Sequence, residues 1–564
     1  MKTFLRLLTL MLTTSLAFAG QEKISKDLRG KNPGDTVDVI VQYNQVPTDK
    51  HEKKVKDRGG KHKAKLDLVR GGAYSLPVDA LDALAADPDV AYITPDREVR
   101  GSLEFANPAV GADIARSYGW TGAGIGVAVI DSGVDNNEGD LGKTSGSGYR
   151  TVYHETFVPG TSAGDDENSH GTHVAGIIAG NAKYSSGTKY KRTFRGIAPE
   201  VNIIDLRVLD KYGAGTDSRV IAAISRAIAL KNIYNIRVIN LSLGRPVFES
   251  YKLDPVCLAA EAAWKAGIVV VVAAGNEGRN NSAGTQGYAT IGSPGNDPYV
   301  ITVGAMKDMG TASRNDDLMA SYSSKGPTLL DHIVKPDLVA PGNRIASIKD
   351  SGWLVTNYPA NLVPPSYYLN AGYSEDGNNY FWLSGTSMAA PMVSGAAALL
   401  LQKTPSLTPD QLKARLMKTA SKAFPTTSVA TVAGQTYTSQ YDAFTVGAGY
   451  LDIAAALNSN DLGAGRAISP LAVYDPVTRK VRLDHGTALI WGETLIWGDG
   501  LIWGDGLVWG DGLIWGDGLI WGDSMVWGNS STQGFSLIWG TGLVWGNSTA
   551  FSGESASIAI QGEN

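Results

Sequence analysis

At 564 residues the chain is too long for one domain, since domains run to roughly 100–200 residues. A composition of 43% hydrophobic and 19% charged residues is that of a folded globular protein and excludes disorder over most of the length. The net charge of −5 gives no electrostatic case for nucleic acid, no apolar run beyond the N-terminus reaches the ~20 residues of a spanning helix, and the one cysteine, Cys257, excludes an internal disulfide.

The first segment reads as an address. Lys2 and Arg6 precede an apolar stretch from Leu7 to Leu16, and Ala17-Phe18-Ala19 supplies the small residues of a signal-peptidase site. Cleavage after Ala19, export and no membrane span in the processed chain are expected. Residues 20–106 form a small unit. Val37 to Val41 alternates as a strand, Lys50 to Arg70 reads as a surface helix and turn, Ala80 to Leu84 as a helix and Val90 to Ile93 as a strand. A small mixed α/β sandwich fits.

Residues 107–458 alternate strand and helix patterns. Val/Ile-rich runs at Gly126–Ile130, Val201–Val208, Val238–Leu243, Ile268–Ala273 and Tyr299–Val303 suit strands covered on both faces, as in a parallel sheet. Helical patterns lie at Ser218–Lys231, Cys257–Ala266 and Ser387–Gln402, and Thr408-Pro409-Asp410-Gln411 has the spacing of a capping box. Alternating strands and helices imply a doubly wound α/β fold, which carries its sites at the carboxyl ends of strands. Residues 350–379, rich in Tyr, Pro, Asn and Gly, read as an inserted surface loop near that edge.

After a linker at 459–485, residues 486–547 repeat with a period of six (LIWGDG, LVWGDG and variants), and nine of the 13 Trp residues lie there. An even period puts Leu and Trp on one face of an extended chain, with the Gly-Asp-Gly units as turns. One unit cannot bury that face alone, so the units stack. The Trp ladder reads as a core ahead of a surface that binds glycan or a cell wall. Residues 548–564 follow the repeat.

Three chemical groups stand at the strand ends. Asp131 closes GVAVID, His170 opens HGTHVAG at a helix start, and Ser387 sits in SGTSMAAP at another. Singly, each is an ordinary turn, cap or packing residue. Together they supply a carboxylate, an imidazole base and a hydroxyl. A serine hydroxyl becomes a nucleophile when an imidazole takes its proton, and the imidazole needs a carboxylate to fix its tautomer.

The strings VAVIDSGVD, SHGTHVAG, VVAAGNEG and SGTSMAAP, in that order, resemble the subtilisin-like serine endopeptidases, the subtilases. The Asp…His…Ser order is the standard example of that family. On the residues alone the two histidines of HGTH cannot be separated; the resemblance places the first at the active position. It implies that Asp131 orients, His170 is the general base, Ser387 is the nucleophile and Asn276 is the oxyanion donor beside the Ser387 N–H. It further implies that Ser242, Leu243 and Gly244 pair with substrate backbone. Ala274 and Gly275 would form the opposite wall of the primary pocket, with Gly292 as its floor and room for Phe, Tyr, Leu or Met. Residues 20–106 resemble the family's inhibitor-like propeptide, removed by self-cleavage between Arg97 and Asn107.

The chemistry requires no cofactor. The family often holds calcium, and Asp140 matches a ligand position. The loop from Asn181 to Arg195 carries Lys183, Lys189, Lys191, Arg192 and Arg195, a poor setting for a cation that wants oxygen ligands, so that site is disfavoured. Met388, directly after Ser387, is expected to confer peroxide sensitivity if it lies beside the nucleophile. The expected protein is a secreted, self-processing endopeptidase acting on protein or peptide substrates. The alternative is a surface-attachment protein in which the Trp-rich repeat is the function and the α/β unit an inactive carrier.

Overall fold

The computed structural model describes residues 23–484 and 558–563, apart from positions 26–27, 30, 67–69, 96–102, 136, 145–146, 283, 375–377, 433, 464 and 476–479. The expected leader (1–19) and repeat (486–547) lie outside the described residues. The chain divides into two compact units at Val99/Arg100.

In the first unit, strands β1 (Thr36–Tyr43), β2 (Lys61–Leu66), β3 (Gly71–Pro77) and β4 (Val90–Pro95) form an antiparallel sheet in the order β2-β3-β1-β4, with helices α1 (Asp49–Lys56) and α2 (Ala80–Ala85). Alternation in β1 buries Val37, Val39, Val41 and Tyr43 against Leu76, Leu81 and Leu84. The stretch expected as one surface helix and turn is α1 followed by β2. Its sequence, KHKAKL, is a lysine-rich edge strand, the kind of edge that resists pairing with other chains and hides its strand character from propensity.

The second unit is built on an eight-stranded sheet whose path runs β11-β10-β9-β8-β5-β7-β6, with β12 paired to β10. Its strands are β5 (Gly126–Asp131), β6 (Thr151–Thr156), β7 (Asn202–Arg207), β8 (Ile236–Leu241), β9 (Val269–Ala273), β10 (Ile301–Lys307), β11 (Leu318–Met319) and β12 (Leu338–Pro341). All pairs are parallel except β10 with β11. The Val/Ile runs of β5, β9 and β10 are buried at every position, as strands covered on both faces require.

Helices α3 (Leu103–Val110) and α4 (Ala112–Ser117) precede the sheet, and α5 (His170–Ala179), α6 (Asp217–Tyr234) and α7 (Pro255–Lys265) connect its strands. Beyond it come β13 (Ile345–Ile348), α8 (Trp353–Asn357), α9 (Pro365–Tyr368), β14 (Tyr380–Leu383), α10 (Thr386–Lys403), α11 (Pro409–Thr419), the hairpin β15 (Thr427–Val432) with β16 (Gln435–Gln440), and α12 (Ile453–Asn458). Helix α10 packs on α5 and on β8, β9 and β10, whereas α6 and α7 pack on each other. Thr408 caps α11 through the reciprocal capping box with Gln411 that its spacing predicts. The molecule is a doubly wound, mainly parallel α/β fold. Among the described residues no helix is long and apolar enough to cross a membrane.

Residues 459–485 are not a plain linker. They hold the hairpin β17 (Leu471–Asp475) with β18 (Lys480–Asp484), tied to the unit by the Val334 N–H to the Pro470 carbonyl (2.8 Å) and the Ala472 N–H to the His332 carbonyl (2.8 Å). Five-residue strands with charged residues read as loop when scanned for apolar runs. Among residues 548–564, those at 558–563 also pack on this unit, with Ile558 in its core.

Candidate active site

Asp131 is the last residue of β5, and its carboxylate is fully buried. Its backbone carbonyl accepts the N–H groups of Val208 (2.8 Å) and Leu209 (3.1 Å), which fixes the strand end. Oδ1 accepts the Ser132 N–H (2.8 Å) and lies 2.7 Å from His170 Nδ1. A carboxylate at that distance makes Nδ1 the donor and leaves the Nε2 lone pair for the cleft.

His170 is the first residue of α5, so the start of that helix positions the imidazole. The sequence reading missed what holds it. Asp166, fully buried, accepts the N–H of Ser169 (2.9 Å) and the hydroxyl of Ser132 (2.8 Å) on Oδ1, and the N–H of Thr172 (2.8 Å) on Oδ2. Its signal was an Asp three residues before Ser169, the residue at the cap position, close enough for its carboxylate to reach the first-turn N–H groups. Gly171 is required by close approach, because a Cβ there would lie 2.2 Å from the Gly133 carbonyl oxygen.

Burial works to lower the His170 pKa, but the charge and hydrogen bond of Asp131, with the charge of Asp166, outweigh it and leave the pKa raised. His173, one turn on, is different. It is buried, its Nε2 sits 3.1 Å from the Ile345 carbonyl and 3.0 Å from that of Phe381, and burial pushes its pKa down to about 3. It is a neutral tie between α5 and the strands β13 and β14.

Ser387 is the second residue of α10. Gly385 turns the chain from β14 into that helix at φ 141°, in the region only glycine adopts freely. Oδ1 of Asn276, just beyond β9, accepts the Thr386 N–H (2.9 Å) and lies 3.1 Å from the Thr386 hydroxyl. Two donors on that oxygen fix the amide and leave its NH2 group facing outward. Thr386 Oγ1 also accepts the Gly275 N–H (3.1 Å), so the turns after β9 and before α10 lock together. The Ser387 N–H belongs to the first turn of a helix, where backbone donors lack intrahelical partners and the dipole favours negative charge.

The Ser387 hydroxyl donates to the Ser242 carbonyl (3.1 Å), and Ser242 Oγ donates back to the Ser387 carbonyl (2.8 Å). Among the described residues no hydrogen bond joins Ser387 Oγ to His170 Nε2. Both side chains line one cleft, and in enzymes such bonds commonly tighten when substrate is present.

The cleft, of about 870 Å3, is also bordered by Asn276, Ser242, Leu243, Gly244, Gly275 and Gly292. Ala274 does not face it. That residue is fully buried, and its carbonyl accepts the Gly292 N–H (3.1 Å), tying wall to floor. Arg245 and Ser293 exchange backbone bonds of 3.0 and 2.8 Å, which pins the 244–245 edge to the 292–293 segment. The Arg245 guanidinium, also unforeseen, bridges Asp217 (2.9 Å) and Asp254 (3.1 Å), and Asp254 accepts the Ser293 hydroxyl (2.6 Å). The inserted loop reaches the site as well. The Gly352 N–H donates to Ser169 Oγ (2.9 Å), and Trp353, in edge contact with Tyr212 at 6.1 Å, lines the same cleft as His170.

Asp140 is buried with both carboxylate oxygens engaged, one by the Tyr184 N–H (3.0 Å) and one by the Tyr380 hydroxyl (2.8 Å). Burial pushes its pKa up to about 6. Met388 is fully buried behind Ser387. Cys257 is buried, and burial raises its thiol pKa far above the ordinary value, which makes it inert.

The model of the subtilase family, peptidase S8, matches residues 122–449. Serine protease AprX of Bacillus subtilis (strain 168) is 35% identical over 381 residues, covering 65% of this chain and 78% of the relative. Subtilisin E of the same organism is 35% identical over 390 residues, covering 68% of this chain and 84% of the relative. An extracellular serine proteinase of Thermus sp. (strain Rt41A) is 35% identical over 360 residues, covering 62% and 70%. With the family model matching over more than half of the chain and subtilisin E aligned along about two thirds of it, the chain belongs to the subtilase family and is a subtilisin-type serine endopeptidase.

Proposed function

We propose that this peptidase is exported, cuts its own precursor, and hydrolyses peptide bonds through an acyl-enzyme on Ser387. The observation that carries the reading is the convergence, in one cleft, of the Asp131-held imidazole, the Ser387 hydroxyl and two outward donors. His170 Nε2 takes the Ser387 proton as Oγ bonds to the scissile carbonyl carbon. The Asn276 amide and the Ser387 N–H receive the oxyanion. The C–N bond then breaks as His170 passes its proton to the leaving amine, and a water molecule repeats the sequence on the ester.

Ser242, Leu243 and Gly244 hold the acyl half of the substrate by added-strand pairing. An apolar lining including Val247, Val256 and Ile291 supports a preference for large apolar side chains before the scissile bond. The chemistry needs no cofactor. Calcium at Asp140 does not fit, because both oxygens are satisfied by a tyrosine hydroxyl and a backbone donor next to a lysine-rich loop.

Export is supported by the leader pattern and by the extracellular relative. The unit ending near Val99 has its own core, as a propeptide must. Self-cleavage is read between Arg97 and Asn107, and the burial of Leu103, Ala106 and Asn107 in α3 of the catalytic unit supports the earlier part of that stretch. The repeat is read as a stacked Trp core, with glycan or cell-surface binding as an accessory role. Gel mobility of the full chain with and without Ser387→Ala tests the reading. The wild type is expected to shorten and the variant to stay at precursor size; both remaining full length sinks the self-processing enzyme.

A further inference from the structure

Residues 558–563 return to the catalytic unit and end in a buried socket. The Glu563 carboxylate pairs with Lys307 (2.9 Å) and Arg279 (3.0 Å) and accepts the N–H (2.8 Å) and hydroxyl (2.7 Å) of Ser321. Its backbone is read too: Asn343 accepts the Glu563 N–H (2.8 Å) and donates to its carbonyl (2.7 Å). Arg279 and Lys307 are themselves almost wholly buried, so without this carboxylate the unit would enclose two cations at high cost. Burial pushes Glu563 up, but Lys307 and Ser321 overcome it and its pKa is lowered, as for a carboxylate that stays ionised.

Four residues earlier, the Ala559 carbonyl accepts the Ser384 N–H (2.9 Å), three positions before the nucleophile, and Asn361 donates to the Ile560 carbonyl (2.6 Å). Ala559 lines the same cleft as His170, Asn276 and Ser387. Sheet order tells which half it borders. Ser242–Gly244 follow β8, on one side of β9 and its Asn276. The Glu563 socket is made by Lys307 at the end of β10, Ser321 after β11 and Asn343 after β12, on the other side.

We propose that residues 558–563 are a built-in peptide ligand of the cleft, anchored by Glu563, with Ala559 restricting the half that receives the leaving group. The assignment of halves rests on the function proposed above. The segment acts as a selective brake: substrates with a short leaving group pass, while peptides running on beyond the scissile bond compete with Ala559 for space.

The test uses the full chain, its intact mass confirming that 558–563 is present in the assayed enzyme; a wild type that is active only after losing the segment overturns the proposal. Two substrates share one acyl part, one a peptide with six residues after the scissile bond and one an anilide. Glu563→Lys, which sets a third cation in the socket, is expected to raise kcat/KM on the long peptide about tenfold, mainly through KM, and to leave the anilide within about twofold. Ala559→Phe keeps the anchor and enlarges the obstruction, so it is expected to lower the long-peptide rate several-fold with the anilide again little changed, and it decides the matter if Glu563→Lys does not fold. An unchanged ratio between substrates in the folded variants refutes the proposal. Retained cleavage in Ser387→Ala would instead refute the catalytic assignment.

Discussion

Asn276 Oδ1 is taken up by accepting the Thr386 N–H and hydroxyl, so its role is confined to what the NH2 group can donate to. Asn276→Ala is therefore expected to lower kcat by roughly 10²–10³ with KM little altered, the cost measured for this donor in a subtilisin itself. Steady-state kinetics on one peptide substrate check it, and a change confined to KM would contradict it. His170 acts as a base only when neutral. Its raised pKa places the acid limb of kcat/KM above the ordinary histidine value near 6.5. In Asp131→Asn the larger supporting charge is gone and burial is opposed by Asp166 alone, so the limb is expected to move to lower pH while turnover falls by roughly 10⁴. A pH–rate profile of the variant that keeps its limb in place would argue against Asp131 as the cause.

Helix α5 shows how an element carries a catalytic group. Its start is held by Asp166, whose two oxygens receive three backbone donors and the Ser132 hydroxyl. Asp166→Ala removes the cap and strands those donors in a buried place. The expected loss is about 2–3 kcal/mol of stability, read by urea unfolding, together with reduced kcat because the imidazole loses its footing. A variant with wild-type stability would show that backbone and Ser132 alone hold the turn. The inserted loop was visible in composition as an extra surface segment. Its delivery of Trp353 to the cleft was not, because that depends on the Gly352 N–H finding Ser169 across 183 positions of sequence.

Across the whole catalytic unit, a buried ionic cluster joins the sheet to α11 and to the segment before β17. Asp337 takes Lys335 (2.7 Å), Lys413 (3.1 Å) and the Ser469 hydroxyl (2.5 Å), all out of contact with solvent. Burial alone would raise the Asp337 pKa, but the two lysines overcome it and the pKa is lowered. Its contribution to stability is thus complete above the ordinary carboxylate pKa near 3.9 and is lost as pH falls through the lower folded value. Asp337→Asn leaves two buried lysines without their counter-charge and is expected to cost about 3–5 kcal/mol, measured by denaturant unfolding at neutral pH. A loss under about 1 kcal/mol would mean that Lys413, its pKa already pushed down to about 7 by burial, simply becomes neutral.

The Val/Ile-rich strands β5, β7, β8, β9 and β10 with the helices between them, the four catalytic motifs and the capping box at Thr408 are legible in the sequence because each rests on local periodicity or on a contiguous string, whereas β6, β11 and β12 carry no such run. Edge strand β2, the Asp166 cap, the Arg245 bridge between Asp217 and Asp254, and the return of residues 558–563 are not legible. Each depends on partners far apart along the chain, whose meeting is settled by how the sheet stacks its strands. The same reason separates His170 from His173. They share a motif and a helix, and only the packing of α5 gives one a carboxylate and the cleft while it seals the other between two carbonyls.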